Sequence, residues 1–159
     1  MMEDVLIRTA VLADLEMLLT YEQELIKAER PFDPTIRSGS LNYYDLNELI
    51  LNEEAIVVVA VTKGKIISTG YGVPKSARHY LDHTHYAYLG FMYTHPTYRG
   101  RGVNKRILQE LKKWAYNKEL FEIRLTVYGD NLPAIAAYEK AGFKNHIIEM
   151  RLDDSALES

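Results

Sequence analysis

The feature that most constrains the fold is an aromatic run followed by a glycine-rich turn and an amphipathic segment. Residues 85–93 (HYAYLGFMY) predict a strand, and residues 104–117 repeat apolar side chains at helical spacing. The turn between them contains Gly100 and Gly102. The first N–H groups of a helix have no partner within it, and the helix dipole adds partial positive charge there. This order predicts a pyrophosphate-binding hollow, with a solvated basic loop as the alternative.

The rest of the chain alternates between short helical segments and β-branched runs. Further strands are predicted at 5–8, 55–62, 66–73, 122–128 and 143–152, and further helices at 13–27, 45–51 and 132–141. Lys63-Gly64-Lys65 joins the second and third strands as an antiparallel hairpin. We expect one α/β (α+β) domain over residues 1–159, with its core at 3–152 and an acidic tail at 153–159. Helices would flank a mixed, mostly antiparallel twisted sheet in the order strand, two helices, three strands, helix, strand, helix, strand.

Composition narrows the classes of function. The chain has 159 residues, a net charge of -3 and no cysteine. Its interspersed charges form no extended cationic face for a nucleic-acid backbone. The absence of cysteine excludes disulfides, thiolate metal sites and a cysteine nucleophile. The longest apolar run, residues 55–61, is too short to span a membrane, and the acidic start differs from a signal peptide. We expect a cytoplasmic protein with a small-molecule partner.

Two segments resemble motifs of the GCN5-related N-acetyltransferases, the GNAT family. The acetyl-CoA motif of this family has six positions. Arginine or glutamine comes first, glycine fourth, and glycine or alanine sixth, with any residue between them. Arg99 and Gly102 match the first and fourth positions. Asn104 stands where the family usually has glycine or alanine. Residues 92–102 (MYTHPTYRGRG) resemble the strand-to-helix crossing, and residues 131–143 (NLPAIAAYEKAGF) resemble the later CoA-binding helix. The resemblance covers nearly all of the expected core.

The resemblance implies an enzyme that transfers the acetyl group of acetyl-CoA to a primary amine of a small molecule, peptide or protein. The amine attacks directly in a ternary complex, and pantetheine fills a gap between the fourth and fifth strands. The N–H of Met92 serves as oxyanion donor and Tyr138 protonates the departing thiolate, so these are the predicted catalytic residues. Asn131 hydrogen-bonds the CoA arm. The predicted cofactor-binding residues are Met92, Tyr93, Thr94, Arg99, Gly100, Arg101, Gly102, Val103, Asn104, Asn131 and Tyr138.

The general base stays open at this point. Family members often place a glutamate on the fourth strand, and this one has no carboxylate. His85, Glu29 and Asp33 are candidates, directly or through water. His79, His83 and His85 complete no familiar metal-ligand pattern, so no metal is predicted.

The sequence also leaves open the chemical class of the acceptor and two alternative functions. Aromatic and acidic residues occur in elements that line the family's acceptor pocket, namely Tyr21, Glu22, Glu29, Phe32, Asp33, Tyr43, Tyr44 and Tyr71. If several of these side chains converge on one pocket, the acceptor is expected to be cationic or compatible with aromatic rings. Alternatively, most of them belong to the face of a helix and to a hydrophobic pair of strands, and no ligand is needed to explain them. A non-catalytic CoA-binding module is one alternative. A dinucleotide-binding protein is disfavoured because Lys105 replaces the third glycine of that fingerprint. The resemblance also allows a homodimer.

Overall fold

The computed structural model describes residues 4–153, and within residues 4–128 helices flank a five-stranded sheet. The strands are Leu6–Thr9 (β1), Ile56–Thr62 (β2), Lys65–Ser76 (β3), His85–Thr94 (β4) and Ile123–Arg124 (β5). The helices are Leu15–Glu29 (α1), Leu46–Leu51 (α2), Val103–Asn117 (α3) and Leu132–Lys140 (α4). Residues up to Tyr128 form one compact unit, and those from Gly129 form a second. The mixed, mostly antiparallel sheet and its flanking helices confirm the predicted fold class.

The sheet runs in chain order from β1 to β5. Each of the first four strands is antiparallel to the next, and β4 and β5 are parallel. Lys63 and Gly64 have φ values of 50° and 74°, the two positive φ angles that a tight hairpin turn requires. The predicted hairpin between β2 and β3 is therefore confirmed.

Helices cover both faces of the sheet, so most of β2 and β3 is buried, whereas β4 alternates between buried and half-buried residues. On one face, Leu18 of α1 and Leu46 of α2 pack with Val57 and Phe91, and all four are at most 1% exposed. On the other face, the apolar stripe of α3 that the sequence predicted is buried against the sheet. Because both faces are covered, β2 reads as a continuous apolar run rather than an alternating one.

Two glycines of β3 let α3 approach the sheet closely. A Cβ atom on Gly70 would lie 2.7 Å from Cγ2 of Ile107, and one on Gly72 would lie 2.6 Å from the ring of Trp114. Side chains of α3 therefore occupy the space in which a larger residue of β3 would project. This packing fixes the position of α3, and with it the position of the glycine-rich turn that precedes the helix.

The structure corrects the end of the predicted sheet. The fifth strand was expected over residues 122–128 but covers only Ile123–Arg124. The sixth strand expected over residues 143–152 is wrong, because no strand forms within residues 129–153. A strand requires a hydrogen-bonded neighbour, and within the second unit no ladder pairs these residues with one another. The acidic tail lies outside the described residues except for Asp153.

Candidate active site

β4 contains a bulge at the position expected for the oxyanion donor. Phe91 and Met92 lie opposite the single residue Gly70 of β3, so the ladder register shifts there. Phe91 has a φ of 53°, in the left-handed region that is unusual for a bulky residue. The conformation is held by burial of the Phe91 ring, which is 1% exposed, and by a 2.8 Å hydrogen bond from Oγ1 of Thr69 to the Phe91 carbonyl. The bulge therefore redirects the backbone next to Met92.

Beyond this point the other edge of β4 is open within the first unit. Pairing with β5 consists of Ala87 with Ile123 and Tyr88 with Arg124, whereas β4 continues to Thr94. Residues 89–94 therefore have no strand partner on the β5 side within residues 4–128. Because β5 ends at Arg124, the predicted splaying of the fourth and fifth strands around a pantetheine arm stays a prediction.

The glycine-rich turn after β4 adopts a conformation that only glycine takes readily. Gly100 and Gly102 have φ values of 75° and 79°, and no other group lies within 4 Å of a Cβ atom placed on either one. Nε of Arg99 donates a 2.9 Å hydrogen bond to the Thr94 carbonyl, which connects the turn to the end of the strand. α3 then begins at Val103, and the N–H groups of its first turn have no partner inside the helix.

Cationic side chains surround the same turn. The guanidinium of Arg99 lies 5.7 Å from the centre of the Tyr93 ring, and that of Arg101 lies 5.7 Å from the Tyr98 ring. Burial raises the pKa of Tyr93, and the Arg99 cation opposes this effect. Exposed arginines, two glycines and a helix start thus form a surface suited to a phosphate group.

Several residues predicted for the acceptor pocket have structural partners instead. The Glu22 side chain is fully buried, and its carboxylate accepts 2.8 Å hydrogen bonds from the N–H groups of Tyr43 and Tyr44. The Tyr21 hydroxyl donates to the Ile66 carbonyl. Glu22 therefore holds the loop before α2 against α1, and its raised pKa is caused mainly by burial.

The remaining aromatic and acidic residues of that set divide into two groups. Tyr44 and Tyr71 pack edge to face in the core, with ring centroids 5.2 Å apart. Oδ1 of Asp33 accepts hydrogen bonds from Thr35, which stabilises a local turn. Glu29, Phe32 and Tyr43 lie half-buried, and Tyr128, which the sequence did not single out, stacks on Phe32. The only sequence signal for including Tyr128 in the site was its position shortly after β5.

His85 is too distant to act as a base beside Met92. It begins β4, seven residues before Met92, which corresponds to roughly 23 Å along an extended strand. Its Nδ1 lies 3.1 Å from Oγ1 of Thr84. Within the described residues, no three metal-ligating side chains of His, Asp or Glu type are grouped closely enough to hold an ion. No helix among these residues is both long and apolar enough to cross a membrane.

Two predicted site residues belong to the second unit. The side-chain oxygen of Asn131 accepts a 3.3 Å hydrogen bond from the Ala134 N–H, so Asn131 is the N-cap of α4. Tyr138 is half-buried, and its ring makes an edge contact with Phe143 at 5.9 Å. Gly142 follows α4 with a φ of 102°, as predicted for the residue that ends this helix. The roles assigned to Asn131 and Tyr138 stay predictions.

Comparison with known proteins identifies the family. The model of the acetyltransferase (GNAT) family matches residues 21–143, so the chain belongs to this family of acetyltransferases. Acetyltransferase SG1711 of Sodalis glossinidius (strain morsitans) is 28% identical over 116 residues, which are 71% of this chain and 69% of that protein. Streptothricin acetyltransferase of Escherichia coli is 43% identical over 47 residues, but these span only 30% of this chain and 27% of that one.

Solved structures share the fold at low identity. One described as a predicted acetyltransferase with acetyl-CoA, from Clostridium acetobutylicum, has a TM-score of 0.71 and 21% identity, with 98% of each chain covered. The aminoglycoside 6'-N-acetyltransferase AAC(6')-IG from Acinetobacter haemolyticus has a TM-score of 0.71 and 15% identity, with 94% of this chain and 97% of that one covered. At these identities the likenesses show a shared fold alone.

Proposed function

We propose that the protein transfers the acetyl group of acetyl-CoA to a primary amine within a ternary complex. The observation that carries this proposal is the bulge at Phe91 beside an edge of β4 that is open within residues 4–128, followed directly by the glycine-rich turn and α3. An extended pantetheine arm fits such an edge, because it can pair with strand backbone groups as an added strand does. The adjoining helix start suits its pyrophosphate.

In this proposal, different residues of the first unit contact different parts of acetyl-CoA. The backbone groups of Met92, Tyr93 and Thr94 pair with pantetheine, and the turn from Arg99 to Gly102 lies against the pyrophosphate. The N–H groups of Val103 and Asn104 donate to its oxygens. The space around the Cβ positions of Gly100 and Gly102 supports this arrangement, because a phosphate can approach the backbone there.

The chemistry is a direct displacement at the thioester carbonyl. The neutral amine nitrogen attacks the carbonyl carbon, a C–N bond forms, and the C–S bond breaks. The Met92 N–H donates to the oxyanion, and the Tyr138 hydroxyl gives its proton to the leaving thiolate sulfur. The proton that the amine loses passes to a base or to water, and the net products are an amide and CoA. Asn131 contacts the CoA arm as the resemblance implies.

Replacement of Tyr138 by phenylalanine tests the acid role. We expect Tyr138→Phe to lower kcat by roughly 100-fold, because loss of a positioned acid usually costs two orders of magnitude or more. The dissociation constant for acetyl-CoA should change little, since only the hydroxyl is removed. The exposed Tyr116, changed in the same way, is the control. An unchanged kcat in Tyr138→Phe would exclude this role.

The overall proposal is tested by calorimetric titration with acetyl-CoA and with NAD, followed by an acetylation assay on a panel of amines. Binding and turnover support it. Binding without turnover on any amine would favour a non-catalytic CoA-binding module, and preference for NAD would favour a dinucleotide-binding protein. A cytoplasmic location and a homodimer stay predictions from the sequence.

A further inference from the structure

A buried hydroxyl on β3 bonds to the peptide unit that contains the proposed oxyanion donor. Oγ1 of Thr69 donates a 2.8 Å hydrogen bond to the Phe91 carbonyl, and Thr69 is fully buried. The Phe91 carbonyl and the Met92 N–H belong to one peptide unit. Thr69 therefore acts on the unit that contains the Met92 N–H from the side of the carbonyl.

The geometry of the peptide unit converts this contact into an orientation of the N–H. A peptide unit is planar, and in the trans form its C=O and N–H bonds point in opposite directions. The bond between Phe91 and Met92 is trans. Because the Phe91 carbonyl is bonded to Thr69 of β3, the Met92 N–H points away from Thr69. It faces the edge of β4 that has no strand partner at residues 89–94 within residues 4–128.

The bulge explains why a side-chain bond is needed at this place. In a regular ladder, backbone hydrogen bonds to the neighbouring strand fix each peptide unit, but a bulge disrupts the ladder locally. Here Phe91 and Met92 share the single opposite residue Gly70, and Phe91 has a φ of 53°. The Thr69 hydroxyl thus holds the Phe91–Met92 unit where the register of the ladder shifts.

The same hydrogen bond makes the Met92 N–H a stronger donor. Hydrogen bonds that follow one another through a peptide unit polarise each other, and the effect is larger where water is excluded. Thr69 and Phe91 are both buried, and a Cβ atom on Gly70 would lie only 3.0 Å from Sδ of Met92, so little space is left beside the bulge. Donation to the Phe91 carbonyl therefore strengthens donation by the Met92 N–H.

The residue before Thr69 forms a similar contact two residues further along β4. Oγ of Ser68 donates a 2.9 Å hydrogen bond to the Tyr93 carbonyl, and Oγ1 of Thr94 lies 2.8 Å from the same Ser68 oxygen. Two consecutive hydroxyls of β3 thus hold alternate peptide units of β4. Only the unit held by Thr69 contains the proposed oxyanion donor.

We infer that Thr69 is a positioning residue for acetyl transfer, whose hydroxyl orients the Phe91–Met92 peptide unit so that the Met92 N–H donates to the oxyanion. This inference rests on the proposed acetyl transfer and adds to it the group that controls the oxyanion donor. Thr69 acts through the peptide unit and needs no contact with acetyl-CoA.

Steady-state kinetics of Thr69→Val and Thr69→Ser test the role of the hydroxyl. Thr69→Val keeps the branched shape without the hydroxyl, and we expect kcat to fall roughly 10- to 100-fold, because loss of a whole oxyanion donor costs 100-fold or more. The KM for acetyl-CoA should change little, since the contact acts on the reacting carbonyl. Thr69→Ser keeps the hydroxyl and should restore kcat. The control is Thr62→Val, a buried threonine of β2 that pairs with Lys65 at the hairpin, and its kcat should be that of the wild type.

Nuclear magnetic resonance observes the peptide unit itself, without any acetyl transfer. Phe91–Met92 is the only Phe–Met pair in the sequence. Labelling phenylalanine carbonyls with 13C and methionine amides with 15N therefore gives one carbonyl–amide correlation, which reports on this unit alone. A hydrogen bond deshields a carbonyl carbon, so the Phe91 carbonyl resonance should move upfield in Thr69→Val. It should stay near the wild-type position in Thr69→Ser and Thr62→Val.

Each measurement can overturn the inference by itself. An unchanged kcat in Thr69→Val would show that the hydroxyl is not needed, and an equally low kcat in Thr69→Ser would assign the effect to the methyl group. An unchanged Phe91 carbonyl resonance in Thr69→Val would show that the hydroxyl does not hold the peptide unit. If the wild type acetylates no amine although the resonance moves as expected, the proposed transfer is refuted while the orientation of the unit by Thr69 stands.

A second pair of variants covers the case in which Thr69→Val does not fold, because it leaves a buried carbonyl without its partner. Thr69→Ser and Thr69→Ala both lack the methyl group and differ only in the hydroxyl. The kcat of Thr69→Ser should exceed that of Thr69→Ala by roughly 10-fold or more, for the same reason as above. Equal kcat values in this pair would contradict the inference.

Discussion

Replacing Gly102 by alanine separates the backbone requirement of the glycine-rich turn from its proposed role in binding. Gly102 has a φ of 79°, and no other group lies within 4 Å of the position of an added Cβ atom. The methyl group therefore meets no neighbour in the free protein. The cost to folding is the left-handed backbone conformation alone, roughly 1–2 kcal/mol for an L-residue.

Gly64 provides a matched control, because its φ is 74° and its Cβ position is equally open. Gly64→Ala changes the turn between β2 and β3, whereas Gly102→Ala changes the start of α3. For a chain of this length, each kcal/mol corresponds to a decrease of roughly 2–4 °C in melting temperature. Both variants should show a decrease of that order.

The two variants should differ in their affinity for acetyl-CoA. In Gly102→Ala the methyl group projects where the proposed pyrophosphate approaches the backbone, so at least one hydrogen bond to a charged group is lost. Such a bond contributes roughly 1.5–3 kcal/mol, which corresponds to an increase in Kd of about 10- to 150-fold. Gly64→Ala should bind acetyl-CoA as the wild type does.

Calorimetric titration at a temperature well below both melting points measures these constants. If Gly102→Ala binds acetyl-CoA with wild-type affinity while showing the expected loss of stability, the turn does not contact the pyrophosphate and this part of the proposal is refuted. Equal weakening of Gly64→Ala would show that general destabilisation, not a local contact, causes the effect.

Two further predictions concern stability. Gly72→Ala should lower the free energy of unfolding by roughly 1–3 kcal/mol in urea titrations, because its Cβ would lie 2.6 Å from the Trp114 ring, whereas Gly129→Ala, with open space, should be near neutral. Asp14→Asn should cost up to about 1 kcal/mol at pH 7, because the Asp14 carboxylate pairs with the Arg8 guanidinium at 2.8 and 3.0 Å. The hydrogen bond from Arg8 lowers the pKa of Asp14, so this stabilisation is present above the ordinary aspartate pKa of about 4 and is lost as the pH falls through the lower folded value. A difference between wild type and Asp14→Asn that persists unchanged at pH 2 would contradict the reasoning.

Elements determined by local sequence were predicted closely. The hairpin at Lys63 and Gly64 and the amphipathic α3 each depend on a pattern within a few residues, so their bounds agree with the structure to within about two residues at most ends. The position of Gly142 after α4 depends on the same kind of signal. The glycine-rich turn was predicted for the same reason.

Elements that need a distant partner were predicted less well. Residues 143–152 carry apolar side chains suited to a strand, but a strand forms only where a neighbour supplies a ladder, and within the second unit no segment pairs with them. The bulge at Phe91 has no sequence signal, because its positive φ is imposed by burial of the ring and by Thr69 on the adjacent strand. No pattern in the sequence shows that the Glu22 carboxylate accepts hydrogen bonds from the loop before α2.

The sequence by itself determined the family and the order of the strand, glycine-rich turn and helix, because these depend on residue type at fixed spacing. Only the tertiary structure decided which groups surround each carboxylate. Glu22 and Glu29 lie two helical turns apart on α1 and are equivalent in sequence terms, yet backbone N–H groups satisfy one and the Tyr43 phenol lies beside the other. The physical reason is that the partners of a buried charge come from segments distant in the chain, and only folding brings them within hydrogen-bonding distance.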